Sequence, residues 1–248
     1  MEFERIADIK RLHFIIETLK KYLPEQAQVL DVGCGNGVIS RSLGAAGFNV
    51  KGIDISSKTI EKAKSLNKYP NVSFEVRSAE QVVADGQQYH AVICSEVLEH
   101  LNEPNKLLNT LHEILHNEGV LIVTVPNGKG PRELFVTRPI IHLRKQNNWL
   151  WKLVQKIKSG LGYKGTTAQS DADDLTHIQF FTKKTLSSLA NDTAFKIVSF
   201  GKTNFVEDVF PFSFFTKRLK FLQKWDCAVA EILPYSFTGG FVTVWQKK

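Results

Sequence analysis

An α/β fold on a doubly wound, mostly parallel sheet is predicted by three features of the 248-residue chain. Apolar runs such as AVIC, Ala91 to Cys94, and VLIVTV, Val120 to Val125, are continuous instead of alternating, as in strands covered on both faces. Stretches of helical periodicity separate these runs. The segment VLDVGCGNG, Val29 to Gly37, ends a strand in a glycine-rich turn that opens a helix.

The elements follow in order. Ile6, Ile9, Leu12, Ile15, Ile16, Leu19 and Leu23 fall three and four residues apart, which predicts an amphipathic helix over 5–23, ahead of Pro24. Strands are expected at 28–32, 49–54, 71–76, 89–94 and 119–125, with helices at 37–46, 57–67 and 104–116. Right-handed crossovers place those helices on both faces. The alternation stops over 127–176. It resumes with a helix at 182–190, a strand at 195–200, a Phe-rich insert at 202–236 and a last strand at 239–246. The last two strands lack a helical crossover pattern between them, which predicts an antiparallel hairpin.

Composition narrows the class. At 43% hydrophobic and 23% charged residues the chain is globular, without low-complexity bias. The N-terminal MEFERIADIK lacks the apolar core of a signal peptide. No apolar run approaches the ~18 residues of a membrane span. Cys34, Cys94 and Cys227 are odd in number and far apart, which fits a reducing compartment. A cytoplasmic protein is expected. The net charge of +7 is uneven: between Asn127 and Gly165 stand nine Lys and Arg residues against one acid, Glu133.

The turn carries Gly33, Gly35 and Gly37, whereas the dinucleotide fingerprint needs its third glycine at position 38, which is Val38. A pyrophosphate would also avoid the carboxylate of Asp31 beside the turn. Asp54 ends the second strand 19 residues after Gly35, a spacing suited to a carboxylate that accepts from two ribose hydroxyls. In Ser78-Ala79-Glu80, after strand three, either an adenine is bracketed or Ser78 caps a short surface helix. Together these features fit a ligand with a positive charge near the turn and a nucleoside extending toward Asp54.

The motifs VLDVGCGNG, GIDIS, SAEQV, AVICSEVLEHL and GVLIVTVPNG, in register over 27–126, resemble the class I S-adenosylmethionine-dependent methyltransferases, and HIQFFTKKTLSSLANDTAFKIVSF resembles that family's closing half. The resemblance implies a Rossmann-like seven-stranded doubly wound sheet of order 3-2-1-4-5-7-6, strand seven antiparallel, with helical lid inserts. It implies S-adenosylmethionine as cofactor. Asp31, Gly33, Cys34, Gly35 and Gly37 would hold the amino-acid end, Asp54 and Ile55 the ribose side, Ala79 and Glu80 the adenine, and Ser95 and Glu96 the edge near sulfur. The domain organisation expected is one methyltransferase domain over 1–248, with a cofactor-binding half at 24–126, a basic lid insert at 127–176 and a closing half at 177–248 that carries the 202–236 insert.

Glu96, Glu99 and His100 follow strand four, and a helical turn there would bring all three to one face. Three readings stand. His100 takes a hydroxyl proton while Glu99 or Glu96 orients it. Alternatively Glu96, Glu99, His100 and His177 hold a divalent metal, a set implied by the E-x-x-E-H motif of the small-RNA 2′-O-methyltransferases and the ubiquinone-pathway O-methyltransferases, which this segment resembles. Mixed oxygen and nitrogen donors suit Mn, Fe, Co or Zn. In the third reading these residues simply cap and solvate a surface turn.

The inserts would set acceptor preference. Leu143, Leu150, Leu153, Val154, Ile157 and Leu161 share a helical face opposite Lys152, Lys156 and Lys158, with Trp149 and Trp151 alongside, a pattern that can lie on an anionic membrane. Six aromatics between Phe210 and Trp225 intermingle with Lys217, Arg218, Lys220 and Lys224. A small or lipid-soluble acceptor with peripheral membrane contact is the expectation. RNA methylation at a 2′ hydroxyl with a divalent metal is the alternative, weakened by the lack of a recognised RNA-binding module. A nicotinamide dehydrogenase is disfavoured by the glycine spacing, by Asp31 and by the terminal hairpin.

Overall fold

The alternating direction of side chains along each strand sorts the core into two layers. The computed structural model describes residues 3–139, 177–207, 209, 212–216 and 219–248. The elements are α1 (Ile6–Tyr22), β1 (Gln28–Val32), α2 (Val38–Ala45), β2 (Asn49–Asp54), α3 (Ser57–Leu66), β3 (Val72–Val76), α4 (Ala79–Ala84), β4 (Tyr89–Ser95), α5 (Pro104–Ile114), β5 (Leu115–Pro126), α6 (Lys183–Asp192), β6 (Phe195–Lys202), α7 (Phe212–Thr216), α8 (Lys220–Ile232) and β7 (Gly240–Lys247). The sheet runs β3-β2-β1-β4-β5-β7-β6. β7 lies antiparallel between β5 and β6, as the missing crossover predicted. Short turns interrupt this pattern: a 3-10 turn at Leu98–His100, a π-helical turn at Glu133–Thr137 and a second 3-10 turn at Tyr235–Phe237.

Successive strand residues point to opposite faces, so Val29, Ile93 and Ile122 join one layer while Leu30, Val92 and Leu121 join the other. The first layer packs Leu12, Ile15 and Leu19 of α1, Leu43 of α2 and Ile60 of α3 against the sheet. The second packs Val82 of α4, Leu108 and Leu111 of α5, and Leu186 of α6. Buried Trp245 in β7 stacks edge-on to Phe195, and its indole N–H donates to Thr243 Oγ1 at 2.7 Å, which satisfies the ring's polar atom.

Some boundaries and elements bear comparison with the sequence reading. α5 stops at Ile114, two residues early, because Leu115 turns extended and pairs with Tyr89 of β4. α4 is the short helix that Ser78 was weighed to cap: the backbone N–H of Ser78 donates to Gln81 Oε1 at 2.9 Å, one arm of a capping box. Within the Phe-rich insert, α8 packs against α1, where Ile6 N donates to Gln223 Oε1 at 2.9 Å. Buried Asp226 of α8 accepts from Phe205 N and Val206 N, both at 2.8 Å, and so fixes the chain leaving β6. The amphipathic helix expected from Leu143 to Leu161 and the side chains of Phe210, Lys217 and Arg218 lie outside the described residues.

Candidate functional site

The carboxyl ends of β1, β2 and β4 meet where the strand order reverses, the place where ligands bind in sheets of this kind. Leaving β1, the chain passes through left-handed backbone at Gly33 (φ 68°), Gly35 (φ 54°) and Gly37 (φ 78°), which only glycine adopts freely. A Cβ on Gly33 would sit 2.6 Å from Val97 Cγ2, and one on Gly37 would strike the Phe74 ring. The turn is closed by Gly37 N donating to Cys34 O at 2.9 Å.

Asp54 ties the turn to β2. Its Oδ2 accepts from Gly35 N at 3.0 Å and its Oδ1 from Ser56 N at 2.9 Å. Each carboxylate oxygen keeps a second lone pair for another donor. Next to it Ile55 is 81% exposed, an apolar side chain uncovered at the lip of the site. Across the opening, Ala79 is buried at the start of α4 and Glu80 is exposed. Asp31 sits deeper: it is buried and accepts from Ser40 Oγ at 2.5 Å. Burial pushes its carboxyl up to about 7, against the hydrogen bond from Ser40. Cys34 lies buried in the turn, and burial raises its thiol pKa, so it is no nucleophile at neutral pH.

The segment after β4 does not form one face. Glu96 adopts left-handed backbone (φ 58°), and the 3-10 turn begins only at Leu98. Glu96 therefore precedes the turn that carries Glu99 and His100. Its Oε1 accepts from Thr124 Oγ1 at 2.8 Å and pairs with Arg11 Nη1 at 3.1 Å, and Ser95 Oγ shares a 2.9 Å hydrogen bond with Thr124 Oγ1. Arg11 in turn meets Asp8 Oδ1 at 3.0 Å, and Arg5 Nε meets Asp8 Oδ2 at 2.8 Å. Burial works against the Asp8 charge, but the hydrogen bond from Arg5 and the charge of Arg11 outweigh it and hold the carboxyl below its usual range. α1 thus closes over the end of β4 through a chain of charges that the sequence reading did not contain.

Glu99, His100 and His177 do converge. One ligand atom from each lies within 4.8 Å of the others, and neither Glu96 nor Glu133 is in the group. His100 Nε2 is 3.8 Å from Glu99 Oε1, and the rings of His100 and His177 have centroids 5.3 Å apart. The Glu99 carbonyl accepts from Ile178 N at 2.7 Å and Gln179 N at 3.0 Å, which brings the strand-like segment carrying His177 onto the 3-10 turn. Burial first, and the neighbouring charge of Glu96 second, raise the Glu99 carboxyl well above its usual range. A neighbour of this group escaped the sequence reading: Glu133 Oε1, on the π-helical turn after β5, stands 3.3 Å from His177 Nδ1. Its only signal there was being the single acid in a basic stretch.

These residues fit a divalent metal. Both carboxylate oxygens of Glu99, both of Glu133 and Nδ1 of His177 are buried with no hydrogen-bond partner among the described residues. Buried polar atoms in that state call for a missing partner.

Comparison with known proteins places the fold. A model of the family described as methyltransferase domain matches residues 4–200. The ubiquinone biosynthesis O-methyltransferase of Coxiella burnetii (strain Dugway 5J108-111) is 30% identical over 126 residues, 48% of this chain and 54% of that protein. The enzyme of the same name from Rickettsia bellii (strain OSU 85-389) is 32% identical over 120 residues, 47% of this chain and 50% of that protein. The chain thus spans about half the length of these curated relatives. Magnesium protoporphyrin IX methyltransferase from Synechocystis PCC 6803, solved with bound SAH, superposes with a TM-score of 0.56 at 18% identity, over 98% of this chain and 84% of that chain. A Rickettsia typhi protein, PKMT2, in complex with AdoHcy gives 0.58 at 18% identity, over 96% and 53%. The family match runs from α1 into β6 and so takes in the strands that carry the glycine turn and Asp54; this chain belongs to the class I S-adenosylmethionine-dependent methyltransferases.

Proposed function

We propose that the enzyme moves the methyl group of S-adenosylmethionine to a hydroxyl oxygen on a small or lipid-soluble acceptor, acting as a single methyltransferase domain. The observation that carries this reading is His100 beside buried Glu99 at the carboxyl end of β4, next to the cofactor side of the sheet. In this reading Asp31 and the turn of Gly33, Cys34, Gly35 and Gly37 hold the amino-acid end. Asp54 receives the ribose hydroxyls, Ile55, Ala79 and Glu80 border the adenine, and Ser95 and Glu96 line the approach to sulfur.

The methyl is already activated by its sulfonium. Alignment of oxygen, methyl and sulfur therefore supplies much of the acceleration, and positioning of this kind is worth ~7–11 kcal/mol. His100 accepts the hydroxyl proton as the oxygen attacks. Glu99 orients the imidazole. Alternatively, Glu99, His100 and His177 would hold a divalent metal, with His100 then a ligand instead of the base; a bound metal would polarise an acceptor hydroxyl and lower its pKa.

Lipid solubility of the acceptor is supported by the names of the relatives and by the outer surface. Phe221, Trp225 and Ile232 on α8 are exposed, with Lys220 and Lys224 beside them, as in helices that rest on anionic membranes. No helix among the described residues is long and apolar enough to cross a membrane.

The test is turnover with S-adenosylmethionine on phenols bearing and lacking a prenyl chain, with products identified by mass spectrometry. The expected product is a methyl ether, and H100A should lower kcat at least ~100-fold, as removal of a general base does. Methylation of RNA 2′ hydroxyls without turnover of any phenol would replace this reading with the RNA alternative.

A further inference from the structure

The π-helical turn after β5 has an unusual division of side chains. Leu134 and Phe135 face solvent, while Glu133, the charged residue, is buried. Such turns insert one residue into a helical path and recur at functional sites because they re-aim a side chain. Here the side chain is aimed at His177.

Two carboxylates, Glu99 and Glu133, are buried on either side of a histidine whose Nδ1 is itself buried, and none of these five polar atoms has a hydrogen-bond partner among the described residues. Burying carboxylates in this way costs several kcal/mol each unless a positive charge lies between them. Arg138, on the same segment, does not supply it: its Nη2 donates to Gly128 O at 2.9 Å and its guanidinium lies 5.1 Å from the Phe180 ring centre. Ligand atoms bound ~2.1 Å from one cation stand roughly 3 Å from each other. The 3.3 Å between Glu133 Oε1 and His177 Nδ1 is close to that spacing.

We propose that Glu133 joins Glu99, His100 and His177 as the second carboxylate of a divalent transition-metal site, and that Glu96, held by Arg11 and Thr124, is not a ligand. The inference deepens the metal reading given under Proposed function and rests on it. Two imidazoles and two carboxylates neutralise a dication and favour Mn²⁺, Fe²⁺, Co²⁺ or Zn²⁺ over Mg²⁺. The segment after β5 then becomes part of the site: metal would clamp its first turn to the 3-10 turn after β4.

The test is titration of the metal-free chain with Mn²⁺ alone, followed by the loss of the free-ion electron paramagnetic resonance signal, with binding of S-adenosylhomocysteine measured separately by calorimetry. One Mn²⁺ per chain is expected. E133Q and H177A should each weaken Mn²⁺ at least ~10-fold, as loss of a ligand does, whereas E96Q should stay within about threefold of the wild type. Glutamine keeps an oxygen that can accept an N–H from His177, so E133Q separates a ligand from a residue that only orients the ring. E133D, which keeps the charge and shortens the reach, should fall between wild type and E133Q and guards against a variant that does not fold. Equal Mn²⁺ affinity in E133Q and wild type overturns the inference. So does a wild type that takes up no Mn²⁺, Co²⁺ or Zn²⁺ while still binding S-adenosylhomocysteine, a result that leaves the methyl-transfer reading in place.

Discussion

Arg11, on the first helix, and Glu96, at the end of the fourth strand, form an ion pair of 3.1 Å between side chains that are 9% and 29% exposed. Eighty-five positions of sequence separate them, and the pair pins α1 over the cofactor side of the sheet. Breaking a buried pair by removing one partner costs about 3–5 kcal/mol, because the other charge stays behind. R11M is therefore expected to lower the melting temperature by several degrees. The double variant R11M/E96Q should recover part of the loss, and a double-mutant cycle in urea measures the coupling. Strict additivity of the two single changes would mean the pair carries no coupling.

Asp54 has two tasks, closing the glycine turn through Gly35 N and Ser56 N and receiving the ribose. D54A should weaken S-adenosylhomocysteine at least tenfold by calorimetry, consistent with loss of hydrogen bonds to a charged acceptor at about 1.5–3 kcal/mol each. Unchanged affinity would remove Asp54 from the cofactor site.

The Asp31 carboxyl has its pKa raised to about 7 by burial. A raised carboxyl pKa means the folded chain holds a proton that the unfolded chain has released. Its stabilising contribution is thus full below the ordinary carboxylate range and is lost as pH rises through about 7. Melting temperature should fall from pH 5 to pH 8 in the wild type, and this component should vanish in D31N. Because a ligand ammonium favours the ionised form, S-adenosylhomocysteine should bind more tightly at pH 8 than at pH 6, a trend that D31N should flatten. Calorimetry at the two pH values checks the sign.

G33A places a side chain at φ 68° and 2.6 Å from Val97 Cγ2. Strained backbone of this kind costs about 1–3 kcal/mol. The variant should lose that stability in chemical denaturation and bind S-adenosylhomocysteine more weakly, since Val97 precedes the 3-10 turn that carries Glu99. A chain as stable as the wild type would mean the turn re-forms with ordinary backbone.

If α8 rests on lipid, the double variant F221A/W225A should bind vesicles of anionic phospholipid at least ~100-fold more weakly in sedimentation, since burying each such side chain contributes about 1.5–3 kcal/mol. Fold stability should hardly change, because both residues are exposed. Equal vesicle binding by the variant would move the contact elsewhere.

Whereas the strand order followed from the family resemblance, the antiparallel β7 was legible because a missing crossover is a local signal. The glycine turn and Asp54 were legible for the same reason, their spacing being set within one strand-turn-helix-strand unit. What escaped depends on distance. Arg11 and Thr124 reach Glu96 from positions 85 and 28 residues away, and nothing near them in sequence marks those contacts. Glu96 was grouped with Glu99 and His100 on helical spacing, but it stands on left-handed backbone ahead of the 3-10 turn and is held by Arg11 and Thr124; a φ of 58° at a glutamate has no signature in composition. Glu133 was counted only as a charge, since a π turn is not visible in apolar periodicity.

The stretch between β5 and α6 leaves and rejoins the sheet at a single knot. Asn127 bridges to Phe181, Gly128 N donates to Phe181 O at 2.6 Å, and buried Asn127 Nδ2 donates to Tyr235 O at 2.9 Å and Thr238 O at 2.8 Å. Both stems of the excursion are thus anchored independently of what lies between them, and lengthening a closed loop adds only ~0.6 kcal/mol per doubling. The number of residues between the two stems can therefore change at little cost in folding free energy, with the sheet beneath left as it is.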